Sequence, residues 1–253
     1  MKKYTVITGA SSGIGYATAK AFAARNKNLI LIARRKSNME QLRNEILCDF
    51  PNLDIVVYAV DFSDTSNCRQ AYNSLQSYSI ETWINNAGIG VYGTVAEHDL
   101  SMIQSMLHIN IEALTILSSL YVHDYRDVDG TQLINISSAG GYTVVQNAVA
   151  YCASKFYVSA FTEGLAQELK LLNAKMKVKL LAPFVTETEF ARVANNTSNF
   201  SYKENYKQFH TSDEVAKLLL DLYDSNKVVG LVSRDNFAFS LTNPLFNHAE
   251  PSK

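Results

Sequence analysis

Two side chains that could move a proton stand four positions apart in the second half of the chain. Tyr151 and Lys155 begin a strongly helical stretch, so they share one helix face. A free tyrosine ionises at about pH 10, and a neighbouring ammonium favours the phenolate and lowers that pKa. Such a pair can donate or accept a proton near neutral pH. Because Tyr-x-x-x-Lys also occurs by chance on solvated helix faces, this interpretation depends on the residues around it.

A serine precedes this helix at a position where ligands bind. Ser138 follows the predicted strand Gln132–Ile136, and ligands of open parallel sheets bind outside the carboxyl ends of the strands. Its neighbour Ser137 is the weaker candidate, because successive side chains of a strand point to opposite faces. Ser138 therefore joins Tyr151 and Lys155 as a candidate for chemistry.

Three glycines, Gly9, Gly13 and Gly15, lie where the first predicted strand becomes the first helix. Glycine lets a backbone turn sharply and lets a pyrophosphate approach it closely. The helix start offers unpaired N–H groups and a positive dipole end to that anion, and Ser11 and Ser12 add hydroxyl donors. A glycine trio alone is equally compatible with a plain strand-to-helix turn.

The second predicted strand ends on the basic run Arg34, Arg35 and Lys36. In a dinucleotide-binding fold, a carboxylate at this point bonds the ribose 2′-hydroxyl of NAD, whereas arginine accommodates the 2′-phosphate of NADP. The planar fork of arginine suits a phosphate. The alternative is a solvated basic turn. Following the glycine turn, the run favours NADP(H).

Strand-like and helix-like runs alternate along the chain, which implies right-handed crossovers and a parallel sheet. We predict an α/β, doubly wound Rossmann fold of about seven parallel strands with helices on both faces, in a single domain over residues 1–253. The predicted strands are Tyr4–Thr8, Leu29–Ile32, Asp54–Val60, one ending at Asn85, Gln132–Ile136, Val178–Leu181 and Val228–Val232. The predicted helices are Ile14–Asn26, Met39–Phe50, Asp64–Ser77, Leu100–Tyr125, Tyr151–Leu172 and Ser212–Tyr223.

Residues 187–211 are polar, rich in asparagine and poorly periodic. A segment this long without clear structure inside a compact domain is typical of a functional lid. We expect it to cover the substrate, opposite residues 90–93 and 142–146. The tail 243–253 is predicted to be loosely ordered.

Composition restricts the function classes. The chain has 253 residues, 47% of them hydrophobic and 19% charged, which is typical of a folded globular protein. Its 23 Lys+Arg nearly balance its 24 Asp+Glu, which argues against a nucleic-acid or membrane-surface protein. Cys48, Cys68 and Cys152 form no metal-binding spacing, and the 5 histidines show none either, so no metal is assigned. The cytoplasm is the predicted location.

With these residues the sequence resembles the short-chain dehydrogenase/reductase family, from about Tyr4 to Val232. The thirteen-residue step from Ser138 to Tyr151 is also typical of that family. The matching pieces follow one another in the family's order: Thr8–Gly15, Asp61 after the third strand, Asn85–Gly88 after the fourth, Asn110 in the long helix, Ile136–Ser138 and Tyr151–Lys155.

The resemblance implies a role for each matching residue. Tyr151 would be the general acid/base, Lys155 would tune it while holding the nicotinamide ribose, and Ser138 would hydrogen-bond the substrate oxygen. Asn110 would hold a helix kink and a water that links Lys155 to solvent. The residues expected to bind the cofactor are Gly9, Ser11, Ser12, Gly13, Ile14, Gly15, Arg34, Arg35, Asp61, Phe62, Asn86, Ala87, Gly88, Tyr151, Lys155, Pro183, Thr186 and Thr188.

One segment departs from the family pattern. Pro183 is followed by Phe184 where the family has glycine, so the backbone contact to the nicotinamide carboxamide could shift there. Thr188 still fits the hydroxyl position of this motif.

The expected activity is NADP(H)-dependent interconversion of a carbonyl and an alcohol by hydride transfer. The aromatic residues of the lid, Phe190, Phe200, Tyr202, Tyr206 and Phe209, suggest a medium-sized, partly apolar carbonyl compound. One alternative is reduction of a 3-oxoacyl thioester on an acyl carrier. Another is a non-catalytic NADP-binding regulatory protein, which the presence of both Tyr151 and Lys155 disfavours. The resemblance also implies a homodimer or homotetramer built on the two long helices.

Overall fold

The computed structural model describes residues 2–195, 197 and 199–249. Strands and helices alternate as predicted, and most predicted bounds agree within a few residues. The strands are β1 Lys3–Thr8, β2 Asn28–Ala33, β3 Ile55–Ala59, β4 Ser79–Asn85, β5 Gln132–Ile136, β6 Lys177–Ala182, β7 Thr186–Glu187, β8 His210–Thr211, β9 Val229–Val232 and β10 Phe239–Thr242. The α-helices are α1 Gly13–Ala23, α2 Lys36–Asp49, α3 Ser66–Asn73, α4 Leu100–Leu107, α5 Leu114–Tyr125, α6 Val149–Leu171, α7 Phe190–Ala194, α8 Tyr202–Asn205 and α9 Ser212–Asp224.

The main sheet has eight strands in the order β10-β9-β6-β5-β4-β1-β2-β3. Strand β1 lies between β2 and β4, so the chain first builds outward to β3 and then crosses back to β4. This reversal next to β1 is the switch point at which doubly wound sheets bind their ligands. All strands are parallel except β10, which pairs antiparallel with β9. The predicted doubly wound α/β fold is confirmed, and β10 is an edge strand that the sequence analysis did not predict.

Buried strands carry apolar side chains on both faces of this sheet. In β2, Ile30 and Ile32 pack with the helices α3, α5 and α6, whereas Leu29 and Leu31 pack with α1, α2 and α9. Each helical layer buries one set of the alternating strand side chains. Because both sets are buried, the strand sequences are continuously apolar.

The long helix predicted over Leu100–Tyr125 is interrupted. A π-helical turn over His108–Ala113 joins α4 to α5. Within the described part of the chain, this run alone is long and apolar enough to cross a membrane by length and composition. Leu117 and Tyr121 of the run are buried in the core against the sheet, and a core helix can meet the same criterion.

Two segments depart from the expectation of little structure. Residues 187–211 contain the helices α7 and α8, and β7 pairs with β8 to bring the ends of the segment together. The tail is anchored where the structure describes it, because Phe246 N donates to the buried carboxylate of Glu163 at 2.9 Å. The Phe246 ring also stacks on Tyr142. The prediction of a loose tail is wrong at Phe246, and residues 250–253 lie outside the described part.

Candidate active site

A cavity of about 800 Å³ opens at the carboxyl ends of the parallel strands. Of the residues predicted to form the site, all line it except Gly15 and Asn110. The side chains therefore converge although they come from widely separated positions. The first lining residues after β1 to β6 are, in chain order, Gly9, Arg34, Val60, Asn86, Ser137 and Pro183.

The glycine turn on one wall has a backbone that other residues could not adopt without strain. Gly9 and Gly13 have φ of 68° and 56°, in the left-handed region. A Cβ on Gly9 would lie 2.9 Å from Ala87 Cα, and one on Gly15 would lie 2.5 Å from both Gly9 O and Asn86 Nδ2. Gly15 therefore serves close packing of α1 behind the turn, which explains why it does not line the cavity.

The start of α1 faces the cavity without a side-chain cap. Ser12 is the N-cap residue and makes no side-chain hydrogen bond to the first turn. The loop after β6 passes close by, since a Cβ on Gly13 would lie 3.0 Å from the Thr188 methyl group. First-turn amides, nearby hydroxyls and the helix dipole suit a bound diphosphate. The site thus fits the dinucleotide that the glycine turn predicts.

Thr8 and Asn86 fasten this turn to the end of β4. The Thr8 hydroxyl oxygen accepts from Asn86 N and Ala87 N, both at 3.0 Å. In return, Asn86 Nδ2 donates to Thr8 O at 2.9 Å. The predicted Asn86 and Ala87 thus hold the cavity wall in place, and Thr8, to which the sequence analysis assigned no role beyond the glycine motif, is a positioning residue.

Beyond the glycine turn lies a basic rim. Among the described residues, Arg34 has no carboxylate partner. Arg35 Nη2 donates to Ser12 Oγ at 2.7 Å and forms an ion pair of 2.7 Å with Glu189 Oε2. This contact with Arg35 lowers the pKa of the Glu189 carboxyl. The acid was not anticipated from sequence, because it lies far along the chain in the predicted lid.

The third wall of this half of the cavity comes from the end of β3. Asp61 Oδ1 accepts from Ser63 N at 2.9 Å, which fixes the carboxylate at the cavity edge. The side chain of Phe62 is buried in the core, so this residue can offer a ligand mainly its backbone.

The side chains of Tyr151 and Ser138 both lie near Gly140, on the side of the cavity opposite the glycine turn. A Cβ on Gly140 would lie 3.4 Å from Ser138 Oγ and 3.7 Å from Tyr151 Cε1, so both side chains reach the same point. The Ser138 hydroxyl also accepts from Gly140 N at 3.0 Å. Ser137, by contrast, donates to Lys155 O at 3.0 Å in the buried packing of α6.

The acid–base properties of the pair differ from the expectation. Burial raises the pKa of Tyr151 to about 12, and the Ser138 hydroxyl opposes that rise only in part. Burial lowers the pKa of Lys155 to about 8. The Tyr151 pKa therefore lies above its ordinary value and not below it as predicted, because burial is the dominant effect. Lys155 Nζ makes no hydrogen bond to the phenol: it donates to Ile136 O at 3.0 Å and lies 6.0 Å from the centroid of the Tyr151 ring.

Asn110 lies behind the cavity, inside the π-helical turn. Its Nδ2 donates to Ile89 O at 2.9 Å, and its Oδ1 accepts from Ile89 N at 3.0 Å. It also donates to Ser154 Oγ on α6 at 3.1 Å. A Cβ on Gly88 would touch both Asn110 Oδ1, at 3.2 Å, and Lys155 Nζ, at 3.4 Å. The helix irregularity expected at Asn110 is present. The Asn110 side chain also connects α6 to the loop after β4.

Aromatic side chains enclose the space beside Tyr151. The Phe190 ring lies 5.4 Å from the Tyr151 ring, and the Tyr92 ring lies 5.9 Å from it. Tyr202 and Tyr206 of the 187–211 segment also line the cavity. The wall around the candidate general acid is therefore largely apolar.

Phe184, which replaces the family glycine, packs toward the end of the sheet. Its ring lies 5.1 Å from that of Phe237, and the guanidinium of Arg234 lies 5.5 Å from its centroid. Arg234 lines the cavity just after β9 and was missed in the sequence. Its place after a parallel strand is the signal that could have identified it.

Comparison with known proteins agrees with the site. The family model described as short chain dehydrogenase matches residues 3–199. Dehydrogenase/reductase SDR family member 11 of Homo sapiens is 31% identical over 196 residues, which cover 75% of this chain and 75% of that protein.

Two solved structures have similar folds. A short-chain dehydrogenase from Sphingobium yanoikuyae in complex with NADPH has a TM-score of 0.82 at 24% identity, covering 92% of this chain and 89% of that one. The bulky-bulky ketone specific alcohol dehydrogenase from Comamonas testosteroni has a TM-score of 0.77 at 26% identity, covering 89% and 84%.

The chain therefore belongs to the short-chain dehydrogenase family. This is a family of oxidoreductases that act on alcohols and carbonyls with a nicotinamide cofactor, and the glycine turn and the cavity beside it have the form such a cofactor requires.

Proposed function

We propose that this protein interconverts a carbonyl and an alcohol by NADP(H)-dependent hydride transfer, with Tyr151 as the general acid/base. One observation carries the proposal: Ser138, Tyr151 and Lys155 line the same cavity as the glycine turn and the two arginines. A proton donor and a dinucleotide cradle thus share one enclosed space.

The nicotinamide ring supplies or accepts the hydride, so the protein must orient the reactants and manage the substrate oxygen. In the reductive direction negative charge grows on that oxygen. The Ser138 hydroxyl, held by Gly140 N, is placed to stabilise it. The Tyr151 phenol, with a pKa of about 12, is protonated at neutral pH and can donate its proton to the new alcohol.

Lys155 and Asn110 act through the surroundings of Tyr151. The ammonium of Lys155 supplies positive charge in a buried region where charge interactions are strong. Asn110 holds the loop after β4 through both backbone groups of Ile89. We therefore assign Asn110 a positioning role: it holds the loop after β4, which Lys155 also approaches.

The preference for NADP(H) rests on the basic rim. Arg34 and Arg35 line the cavity where β2 ends, and no acid occupies either position. Arginine can bind a 2′-phosphate through paired hydrogen bonds, whereas NAD binding usually places a carboxylate there. The contacts of the adenosine half are assigned to Gly9, Ser11, Ser12, Gly13, Ile14, Asp61, Phe62, Asn86, Ala87 and Gly88, and those of the nicotinamide half to Pro183, Thr186, Thr188, Tyr151 and Lys155.

For the substrate we propose a medium-sized, largely apolar ketone or aldehyde. Tyr92, Phe190 and Tyr206 surround the reacting position with aromatic surface, and residues 187–211 serve as its lid. The similarity to an alcohol dehydrogenase specific for bulky ketones supports this size class. The protein is further proposed to act on small molecules in the cytoplasm as a homodimer or homotetramer, without nucleic-acid or membrane partners.

The test is a screen of NADPH oxidation over ketones, aldehydes, quinones and acyl thioesters. We expect turnover with apolar ketones or aldehydes. Turnover confined to acyl thioesters would replace the substrate proposal with the acyl-carrier alternative. Tight NADPH binding without turnover of any class would support a regulatory protein instead.

A further inference from the structure

The cavity rim contains an ion pair that the proposed chemistry does not use. Glu189 is the N-cap residue of α7, between the proposed cofactor-binding Thr188 and the aromatic Phe190. Its Oε2 lies 2.7 Å from Arg35 Nη2, and both residues line the cavity. An acidic side chain of the lid therefore forms an ion pair with one of the two arginines proposed to bind the cofactor's 2′-phosphate.

Two of the three guanidinium nitrogens of Arg35, Nε and Nη2, already have partners at this point. Besides the carboxylate, Nη2 donates to Ser12 Oγ at 2.7 Å, and Nε reaches Ser11 Oγ at 3.4 Å. A phosphate and a carboxylate are both anionic acceptors that seek the same paired N–H donors of arginine. A 2′-phosphate that binds Arg35 through Nη2 therefore competes with Glu189 for this donor.

We propose that Glu189 is a residue that sets cofactor selectivity, because its carboxylate holds Arg35 until the 2′-phosphate of NADPH displaces it. The inference rests on the proposed NADP(H) preference. NADH carries no phosphate at this position, so it leaves the Arg35–Glu189 pair intact. Glu189 thus weakens NADPH binding while leaving NADH binding nearly unchanged.

Displacement leaves Glu189 with another partner. Its Oε1 lies 3.4 Å from Arg192 Nη2, one turn along α7. The side chains of Glu189 and Arg35 are 40% and 46% exposed, so water also solvates the separated charges. An exposed ion pair of this kind is weak, and a dianionic phosphate can replace it. The contact therefore moderates NADPH affinity without preventing binding.

The experiment compares cofactor affinities of the wild type and Glu189→Gln by fluorescence titration. Glutamine keeps the size of the side chain and removes its charge. We expect NADPH to bind about twofold to fivefold more tightly, the range expected from losing one exposed charge interaction, and NADH to change by less than about 1.5-fold. Glu187→Gln is the matched control, because it removes an exposed acid two residues away that does not line the cavity.

A double-mutant cycle with Arg35→Ala tests whether Arg35 is the intermediary. In that background the gain from Glu189→Gln should shrink. Equal gains with and without Arg35, an equal gain from Glu187→Gln, or weaker binding of both cofactors by Glu189→Gln would overturn the inference. Equal gains with and without Arg35 would indicate that Glu189 repels the 2′-phosphate directly. Weaker binding of both cofactors by Glu189→Gln would indicate that Glu189 helps to hold the cofactor in place.

Two adenosine probes separate this inference from the NADP(H) proposal. In the wild type, adenosine 2′,5′-bisphosphate should bind more tightly than AMP, and Glu189→Gln should widen the difference. Equal binding of both probes by the wild type contradicts the NADP(H) preference itself. A clear wild-type preference that Glu189→Gln leaves unchanged contradicts only the role of Glu189.

Discussion

The ammonium of Lys155 lies 6.0 Å from the centroid of the Tyr151 ring and donates its hydrogen bond to Ile136 O instead of the phenol. The two groups are therefore coupled through space, without a direct hydrogen bond. Burial dominates both, and it moves the pKa of the tyrosine to about 12 and that of the lysine to about 8. The group that changes charge near physiological pH is Lys155.

This gives the reductive reaction a specific pH dependence. Below about pH 8 Lys155 carries its charge and stabilises the negative charge that develops as Tyr151 donates its proton. The rate of NADPH oxidation should be flat there and fall about tenfold per pH unit above, as expected for loss of one proton. Lys155→Arg should remove this break, because arginine stays charged over the whole range. A flat wild-type profile up to pH 10, or an unchanged break in the variant, would contradict the assignment.

The basic rim predicts a difference between the two cofactors. Arg34→Ala and Arg35→Ala should each weaken NADPH binding by about tenfold to a hundredfold, the value of a hydrogen bond to a charged group. NADH should change by less than about threefold, since it lacks the phosphate. Arg43→Ala on α2 is the control, because Arg43 forms its ion pair with Glu40 among the described residues and does not line the cavity. Equal losses for the two cofactors would remove the basis of the NADP(H) preference.

Much of the fold could be predicted because its elements have local causes. The strand Leu29–Ile32 is apolar at every position and is buried from both sides. The glycine turn was recognisable because Gly9 and Gly13 meet a backbone requirement that few other residues can. The loop that carries Ser138 and the helix that carries Tyr151 and Lys155 followed from strand and helix periodicity.

The remainder depends on contacts between distant parts of the chain. The pair of Arg35 and Glu189 joins the end of β2 to the start of α7, and no local pattern marks it. The tail is held by the buried acid Glu163, which sequence periodicity places on a helix without naming its partner. The direction of the Tyr151 pKa shift depends on how deeply the ring is buried, which only the packed structure determines.

Asn110 gives a stability prediction. Asn110→Ala would leave Ile89 N–H and C=O without their side-chain partners at the partly buried cavity wall. The free energy of unfolding should fall by about 2 kcal/mol, the order of the cost of leaving such polar groups unpaired. Urea denaturation measures this change, with the exposed Asn226→Ala as a control that should alter it by less than about 0.5 kcal/mol. A loss no larger than that of the control would show that Asn110 does not hold this loop.

The outer surface of α6 predicts the oligomeric state. Tyr157 is exposed there beside Phe161, and a Cβ on Gly164 would meet open space. Light scattering should give the mass of a dimer or tetramer for the wild type and a smaller mass for Gly164→Arg. Arginine favours helix more than glycine does, so the variant should remain folded. Asn73→Arg on α3 should leave the mass unchanged, and a wild-type monomer would contradict the proposed assembly.

The most direct test of the account replaces one hydroxyl group. In Tyr151→Phe, NADPH affinity measured by fluorescence should stay within about threefold of the wild type, whereas turnover of the best carbonyl from the substrate screen should fall by about a thousandfold, within the range of general acid catalysis. Tyr157→Phe, on the exposed face of the same helix, should keep both properties. Retention of more than a tenth of the wild-type rate by Tyr151→Phe would contradict the central claim that this phenol transfers the proton.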